Sequence, residues 1–553
     1  MPNDIALGED QDGSNAEKNS ISFIEITLHT QNFLFLRFDI LRLTNQNAMK
    51  YIITFTLLIL SGTLSAQTGI FQKSADIGNP VLKGSTSYNP SDQSYTLRGS
   101  GYNIWFGRDE FHYTYNKIKG DFILTADFQF AGEGKNAHRK TGWMVRADES
   151  DNSPHISAVI HGDGLTVMQW RLLKGAFMRD PEDEIFAPKS NYSIIRLERE
   201  GNRFTMLAAH PGEPLQVIGT KVMENMPDEV LAGIFVCSHD SSVIEEVKAW
   251  NVRIDKPVPD NYQPAKEGYP GCRLEIMNVF DGKRKVIWEK DGRFEAPNWM
   301  PDGKKLLFNM DGFLWTIPIE GGEPEKLNTG FADRNNNDHG ISFDGKWLAI
   351  SHQRQGMSGG GSTVYVLPLS GGTPEMVTEK TPSYWHGWAP NNKEVVYVAM
   401  REGSSTYNIY RKPVKGGEEV ALTATKPGEH VDGCEYSPDG KYIYYNGSAS
   451  GTMQIWRMKP DGSQKEQLTF DEYNDWFPHI SPDGKWIVFL SYPVDIPPNS
   501  HPSYKKVMLR IMPASGGAPK VIAWLYGGQG TINVPSWSPD SKSIAFVSNS
   551  GIK

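Results

Sequence analysis

Cysteine is scarce: the 553 residues hold three, Cys237, Cys272 and Cys434. They allow at most one disulfide and match no thiolate metal spacing, so they read as small buried apolar residues. Positive charge is thin as well. Lys and Arg number 56 against 65 Asp and Glu, the net charge is −9, and no basic cluster stands out. Binding to a phosphate backbone needs a concentrated positive field, so nucleic acid is excluded as an expected partner. Long apolar runs are missing; the run Tyr51–Leu60 is too short to span a bilayer. No GxSxG elbow, HExxH helix, P-loop or dinucleotide fingerprint occurs, and SGGGS at 358–362 reads as a flexible loop between strands. In their place the chain has glycine (54), proline (35) and aromatic residues (11%), the composition of short strands and many turns.

Residues 1–48 are polar and acidic at the start and fit poorly with the rest of the chain. They read as an upstream extension without a core of its own, with Met49 as the true start. From Met49 the text changes: Lys50 is a positive n-region, Tyr51–Leu60 an h-region, and Leu64-Ser65-Ala66 a cleavage site. Residues 49–66 are therefore expected to be a signal peptide. The mature chain would begin at Gln67, be periplasmic or secreted, and not span a membrane after cleavage. No Cys comes after the h-region at the cleavage site, which excludes lipid attachment there.

The chain repeats itself. WMPDGKKLLF (299–308), ISFDGKWLAI (341–350), WAPNNKEVVYV (388–398), YSPDGKYIYY (436–445), ISPDGKWIVF (480–489) and WSPDSKSIAF (537–546) place one turn residue at Asp302, Asp344, Asn391, Asp439, Asp483 and Asp540. Spacings of 42 to 57 residues suit one four-stranded blade each. A second phrase alternates with the first, as in LWTIPIEGGEPEKLN (314–328) and VYVLPLSGGTPEMVT (364–378), with a glycine pair at the hairpin turn. Six first hairpins meet only five second ones downstream. The missing half lies upstream in CRLEIMNVFDGKRKVIWEK (272–290). First and last segments must then complete one blade together, giving six blades closed by strand exchange.

The Ser/Ala-Pro-Asp-Gly-Lys phrase, followed by an apolar strand and a Gly-Gly-x-Pro-x-x-Leu-Thr hairpin, resembles the TolB-like six-bladed β-propeller repeat over about 270–553. Asn391-Asn392 and Ser541 depart from its Asp and Gly, which should weaken two turns without changing the architecture. Residues 67–255 lack this period. They hold segments of alternating apolarity, among them 121–130, 141–148, 156–162, 165–172, 192–200 and 203–210, the pattern of a β-sandwich. GYNIWFGRDEFHYTYNKIKGDFILTADFQF and GWMVRADES resemble the concanavalin A-like lectin/glucanase jelly-roll group. The expected fold is all-β: a jelly roll at 67–255, a Pro/Gly-rich linker at 256–271 and a propeller at 272–553.

Inner strands of a propeller converge on its channel. Counting back from the turn residue places His339, His386, Glu435 and His479 on consecutive blades, with Asp338, Asp432, Asp475, Trp385 and Trp476 in the segments leading in. Imidazoles with carboxylates are ligand types for a divalent transition metal, so His339, His386 and His479 form a candidate metal set. Oligogalacturonate lyase resembles this type of propeller and carries a His-bound metal at its mouth. Its motif is not matched here residue by residue, and its ligands are not transferred. Equally, the same residues would form a sugar- or peptide-binding mouth, or the polar groups would only solvate a wet channel mouth, with Trp385 and Trp476 packing between blades. In the sandwich, Trp105 would stack on a sugar ring beside Arg146, His155 and His161. Trp143 and Trp170 sit in apolar strands and suit the core. A two-carboxylate glycosidase pair is absent; Glu198 and Glu200 have no second acid at the needed separation.

The resulting reading is an exported binding protein rather than an enzyme. Its sandwich would recognise a glycan or other extracellular polymer, and its propeller would offer a face to a protein partner, as the TolB resemblance implies. The alternative is a metal-dependent polysaccharide lyase or glycoside hydrolase with its site at the channel mouth.

Overall fold

The computed structural model describes residues 68–357 and 361–550. The expected upstream extension and signal peptide lie outside the described residues. From Lys73 to Asp255 the alternating segments form two seven-stranded antiparallel sheets. In the first, Phe111–Lys119, Glu229–Cys237, Lys140–Arg146, His155–His161 and Thr166–Arg171 are successive neighbours. In the second, Arg203–Ala209, Ile194–Glu200, Phe122–Phe130, Asp240–Asp255 and Ser94–Gly101 follow one another. Alternate side chains point to one face of a strand. Trp143, Val145 and Ile156 from the first sheet thereby meet Leu97, Leu124, Leu197 and Val247 from the second in one core. Full burial of each such side chain contributes roughly 1.5–3 kcal/mol.

The first sheet is covered on its other face too. Phe111, Tyr113, Met144, Val159 and Phe235 pack there against Ile77 and Ile104.

Residues 272–550 form a six-bladed propeller. Five blades have four strands each. In the sixth, Ser543–Asn549 pairs with Cys272–Asn278, which pairs in turn with Arg284–Lys290. Trp537 bridges to Ile544 and completes that blade from the inside. The two ends of the repeat region are thus hydrogen-bonded together, as the hairpin arithmetic requires.

The recurring turn has a chemical reason. Ser481 Oγ donates to Asp483 Oδ1 at 2.6 Å and accepts from the Trp486 N–H at 3.0 Å, while Asp483 Oδ1 accepts from the Lys485 N–H. The same set recurs at Ser342/Asp344, Ser437/Asp439 and Ser538/Asp540. The fourth turn position is left-handed, φ 67 to 71°, in Gly303, Gly345, Gly440 and Gly484. Asn392 and Ser541 take the same conformation without being glycine, at φ 57° and 61°. Their side chains offset the strain: Asn392 Oδ1 accepts from the Asp344 N–H and Ser541 Oγ from the Asp483 N–H, each tying its turn to the preceding blade.

Segment 256–271 is docked rather than free. The Lys256 N–H donates to Ser550 Oγ, the Val258 N–H to Tyr526 Oη, and Tyr269 packs with Tyr504. Its one-turn helix, Pro264–Glu267, buries no residue.

Candidate functional site at the propeller mouth

Five of the inner strands break register at one height: between Glu295 and Asn298, Asn335 and His339, Trp385 and Gly387, Asp432 and Glu435, and Trp476 and His479. Extra residues at a bulge re-aim the side chains on either side of it. Ala296, Gly433 and Phe477 hold left-handed φ values of 56 to 57° at these bulges. Only Gly433 does so without strain, and a Cβ there would stand 2.6 Å from Asn446 Oδ1. Strain of this kind, on the order of 1–3 kcal/mol per residue, persists where surrounding structure over-determines it.

The residues just before the bulge turn toward the channel. Seven positions ahead of five of the six turn residues stand Glu295, Asn337, Tyr384, Asp432 and Asn533, all on the wall of a cavity of ≈ 710 Å³, while the sixth, Trp476, is buried in the core. Asp338, His386, His430 and His501 share that wall, as do Arg293 and Tyr269 from neighbouring segments. This column is the signal that counting back by five and four positions misses; Glu295, Asn337, Tyr384 and Asn533 emerge from it.

Charge on this wall is organised around Asp432. His386 Nε2 stands 2.8 Å from Asp432 Oδ1, and His430 Nε2 stands 3.8 Å from Oδ2. Burial works to raise Asp432, yet the adjoining imidazoles hold its carboxyl well below the usual range. Burial works to lower His386, but the charge and hydrogen bond of Asp432, with the charges of Asp338 and Glu435, together outweigh it and leave the imidazole above its ordinary value. Asp338 accepts from Asn336 Nδ2 at 2.7 Å. Burial, with the charge of Asp432 added, pushes it up to about 7. Burial also raises Glu295, despite its ion pair with Arg293, whose Nη1 donates to Tyr269 Oη. The wall therefore pairs a carboxyl that exchanges its proton near neutrality with an imidazolium–carboxylate couple. Amides and phenols surround them, able to bind hydroxyl or peptide groups.

Of the residues proposed from the repeat, Asp338, His386 and Asp432 reach the mouth. The others do not. His479 Nδ1 bonds Glu435 Oε2 at 2.7 Å and Nε2 bonds the Ile532 carbonyl at 2.6 Å, so both residues staple adjacent blades. His339 is fully buried, and burial holds its imidazole down at about 4. Asp475 is enclosed with Arg510 and Ser491, and burial raises it to about 6. Trp385 and Trp476 are core residues; Trp385 lies so close to Gly340 that a Cβ there would stand 1.9 Å from its ring. The three-histidine metal set is corrected accordingly. Only His386 of the three faces the cavity, and among the described residues no group of three or more His, Cys, Asp or Glu is arranged to hold a metal ion.

The proposed sugar site in the first sheet is corrected as well. Arg146 and His155 are directly opposite on neighbouring strands and fully buried, as His161 nearly is. Asp109 closes over them, bridging Arg171 at 2.7 Å and Arg146 at 3.4 Å. Half-buried Trp105 lies in the same covering segment, Ile104–Asp109. Trp143 and Trp170 belong to the core, and the three cysteines are free and buried.

No family model matches the chain. It is similar to the uncharacterized protein Atu1656 of Agrobacterium fabrum, 46% identical over 275 residues, which span 50% of this chain and 91% of that protein. A solved structure of a candidate TolB from Agrobacterium tumefaciens is 44% identical, covers 50% of this chain and 98% of its own, and superposes with a TM-score of 0.47. The Tol-Pal system protein TolB of Francisella tularensis is 24% identical over 225 residues, 39% of this chain and 50% of that protein. The match thus spans half the length of that TolB.

Proposed function

Since the chain belongs to the TolB-like six-bladed β-propeller family, we propose that it is an exported interaction platform whose propeller mouth seats a polar segment of a protein partner. The observation that carries this reading is the ≈ 710 Å³ cavity walled by one residue column of the inner strands. Its Asn, Tyr and Gln groups suit peptide hydrogen bonding, and its carboxyls favour a segment with positive charge. The finer assignment is periplasmic. Residues 67–255 act as a concanavalin A-like domain that adds glycan recognition, 256–271 is the connection, and 272–553 is the propeller. A photo-crosslinking residue in place of Tyr407, on the cavity wall, tests the platform in cells of the source organism. A discrete covalent protein adduct is expected, weakened by Asp338→Arg. The absence of any protein adduct would overturn the reading.

A second reading, a carbohydrate lyase or hydrolase, rests on Asp338 and the His386–Asp432 couple. A carboxyl titrating at about 7 is suited to take and return a proton. It predicts turnover of an acidic or neutral polysaccharide, followed by the ultraviolet absorbance of unsaturated ends or by reducing ends, and abolished by Asp338→Asn.

A further inference from the structure

We propose that the seam between the second sheet and the propeller is a binding cleft for a neutral oligosaccharide, with Trp250, Trp486, Trp524 and Phe280 as its aromatic walls and Asp127 as its polar anchor. A cavity of ≈ 640 Å³ lies between these residues, within the size range of small-ligand sites. Phe280 stands at the tip of the hairpin joining Cys272–Asn278 to Arg284–Lys290 and is 60% exposed. Its ring meets that of Trp486 edge-on, centroids 6.1 Å apart. Trp250, Trp486 and Trp524 are half-buried, each leaving part of its indole uncovered. Large rings left open in a concave seam cost solvation unless something apolar covers them, and the C–H face of a pyranose does so.

Polar groups in the seam are left with capacity to spare. Asp127 Oδ2 accepts from Asn251 Nδ2 at 2.9 Å, while among the described residues Oδ1 makes no hydrogen bond. Trp524 Nε1 is buried without a partner. A sugar hydroxyl can donate to Asp127 Oδ1. The lining also selects against an acidic sugar. Of the two cations on the lining, Arg284 is committed to Glu275 through two bonds and Lys520 is exposed on the strand Lys520–Gly527, so neither is a buried free cation set to pair with a ligand carboxylate.

The walls are preformed, which lowers the ordering cost of binding. Asn251 donates to the Gly282 carbonyl and accepts from the Arg284 N–H, pinning the hairpin to the sheet at one end. At the other, the Val521 N–H donates to the Gly212 carbonyl at 3.0 Å.

The ligand class rests on the glycan recognition proposed for residues 67–255; the location does not. Calorimetry and tryptophan fluorescence on the full mature chain, with cellohexaose, mannohexaose and pentagalacturonate as probes, test both. One of the two neutral probes is expected to bind, with affinity falling about tenfold or more in Phe280→Ala, Trp524→Ala and Asp127→Asn. Phe470→Ala, an exposed ring outside both the cleft and the propeller mouth, is expected to leave it unchanged. Phe280 is exposed, so its removal leaves the fold intact and isolates the ring. Neutral-sugar binding that survives all three cleft variants would overturn the cleft while leaving glycan recognition standing. No binding of either neutral probe would overturn both, and preference for pentagalacturonate would overturn the neutral assignment.

Discussion

His386 Nε2 and Asp432 Oδ1, carried on adjacent blades, stand 2.8 Å apart on the wall of the propeller mouth. The pair sets the protonation of the site. With Asp432 present, the His386 imidazole is held above its ordinary value of 6.5 although burial opposes its charge. In Asp432→Asn the burial is left unopposed by that charge, so the midpoint of the His386 ring signal in an NMR titration should move from above 6.5 to below it. A midpoint that stays put would separate the two residues functionally. The raised imidazole contributes stability in full below its unfolded value and loses it as pH rises through the folded one.

Asp338 shifts stability with the same pH sign, but burial rather than an oppositely charged partner raises it. Its carboxyl, at 3.8 when unperturbed and about 7 in the fold, binds a proton more readily folded than unfolded. Wild-type stability should therefore fall as pH climbs through that window. Asp338→Asn removes the penalty. Urea unfolding should show the variant more stable than wild type at about pH 8, on the order of 2–4 kcal/mol, and nearly equal to it at about pH 3.

The blades were legible in the sequence because a turn built on Ser and Asp leaves both residues in place in four of the six repeats, and Asp in a fifth. The mouth was only half legible. His339 and His386 occupy the same position relative to their turns, yet one is sealed and the other faces the cavity. The reason is local. Between Asn335 and His339 the second-blade strand gains two residues on its partner, whereas between Trp385 and Gly387 the third-blade strand gains one. A one-residue difference reverses which way a strand side chain points, and no repeat phrase records it. From sequence, Arg146 and His155 in the two-sheet region are expected as hydrogen-bonding neighbours of a sugar stacked on Trp105. The covering segment Ile104–Asp109 closes that face instead, its buried Asp109 pairing with Arg146 and Arg171, and His155 is sealed beneath it.

The turn chemistry gives a further expected outcome. Ser481 is buried and serves as donor to Asp483 and acceptor for Trp486 N–H, so Ser481→Ala leaves a backbone donor unpaired. A loss of about 1–2 kcal/mol by denaturant unfolding is expected. Ser541→Gly relieves a left-handed residue but removes the bond to the Asp483 N–H, two effects of opposite sign and similar size. It should stay within about 1 kcal/mol of wild type. A loss as large as that of Ser481→Ala would mean the inter-blade bond dominates.

Glu275 joins the closure of the ring to the docking of the two-sheet region. It lies on the strand that receives the C-terminal strand, and Ser548 from that strand donates to its Oε1 at 2.6 Å. Arg284 bonds the same carboxylate from the next strand, at 2.8 Å, and Arg253 reaches it from the second sheet at 2.7 Å. The two guanidiniums overcome burial and hold the Glu275 carboxyl far below the usual range. Removing its charge leaves two buried cations facing each other, a change that typically costs about 3–5 kcal/mol. Glu275→Gln keeps the shape and so isolates the charge. Its calorimetric melt should drop in temperature and split, because a buried ion pair between sheet domain and propeller is lost. A depressed carboxylate gives stability above its unfolded value and loses it as pH falls. Wild type should therefore approach the variant on acidification below about pH 4, the range where an unfolded glutamate takes up its proton. A single unshifted transition in Glu275→Gln would mean that the remaining seam contacts, among them Lys506 with Glu198, Gln93 with Val286, Asn251 with Gly282 and Val521 with Gly212, suffice to hold the two parts together.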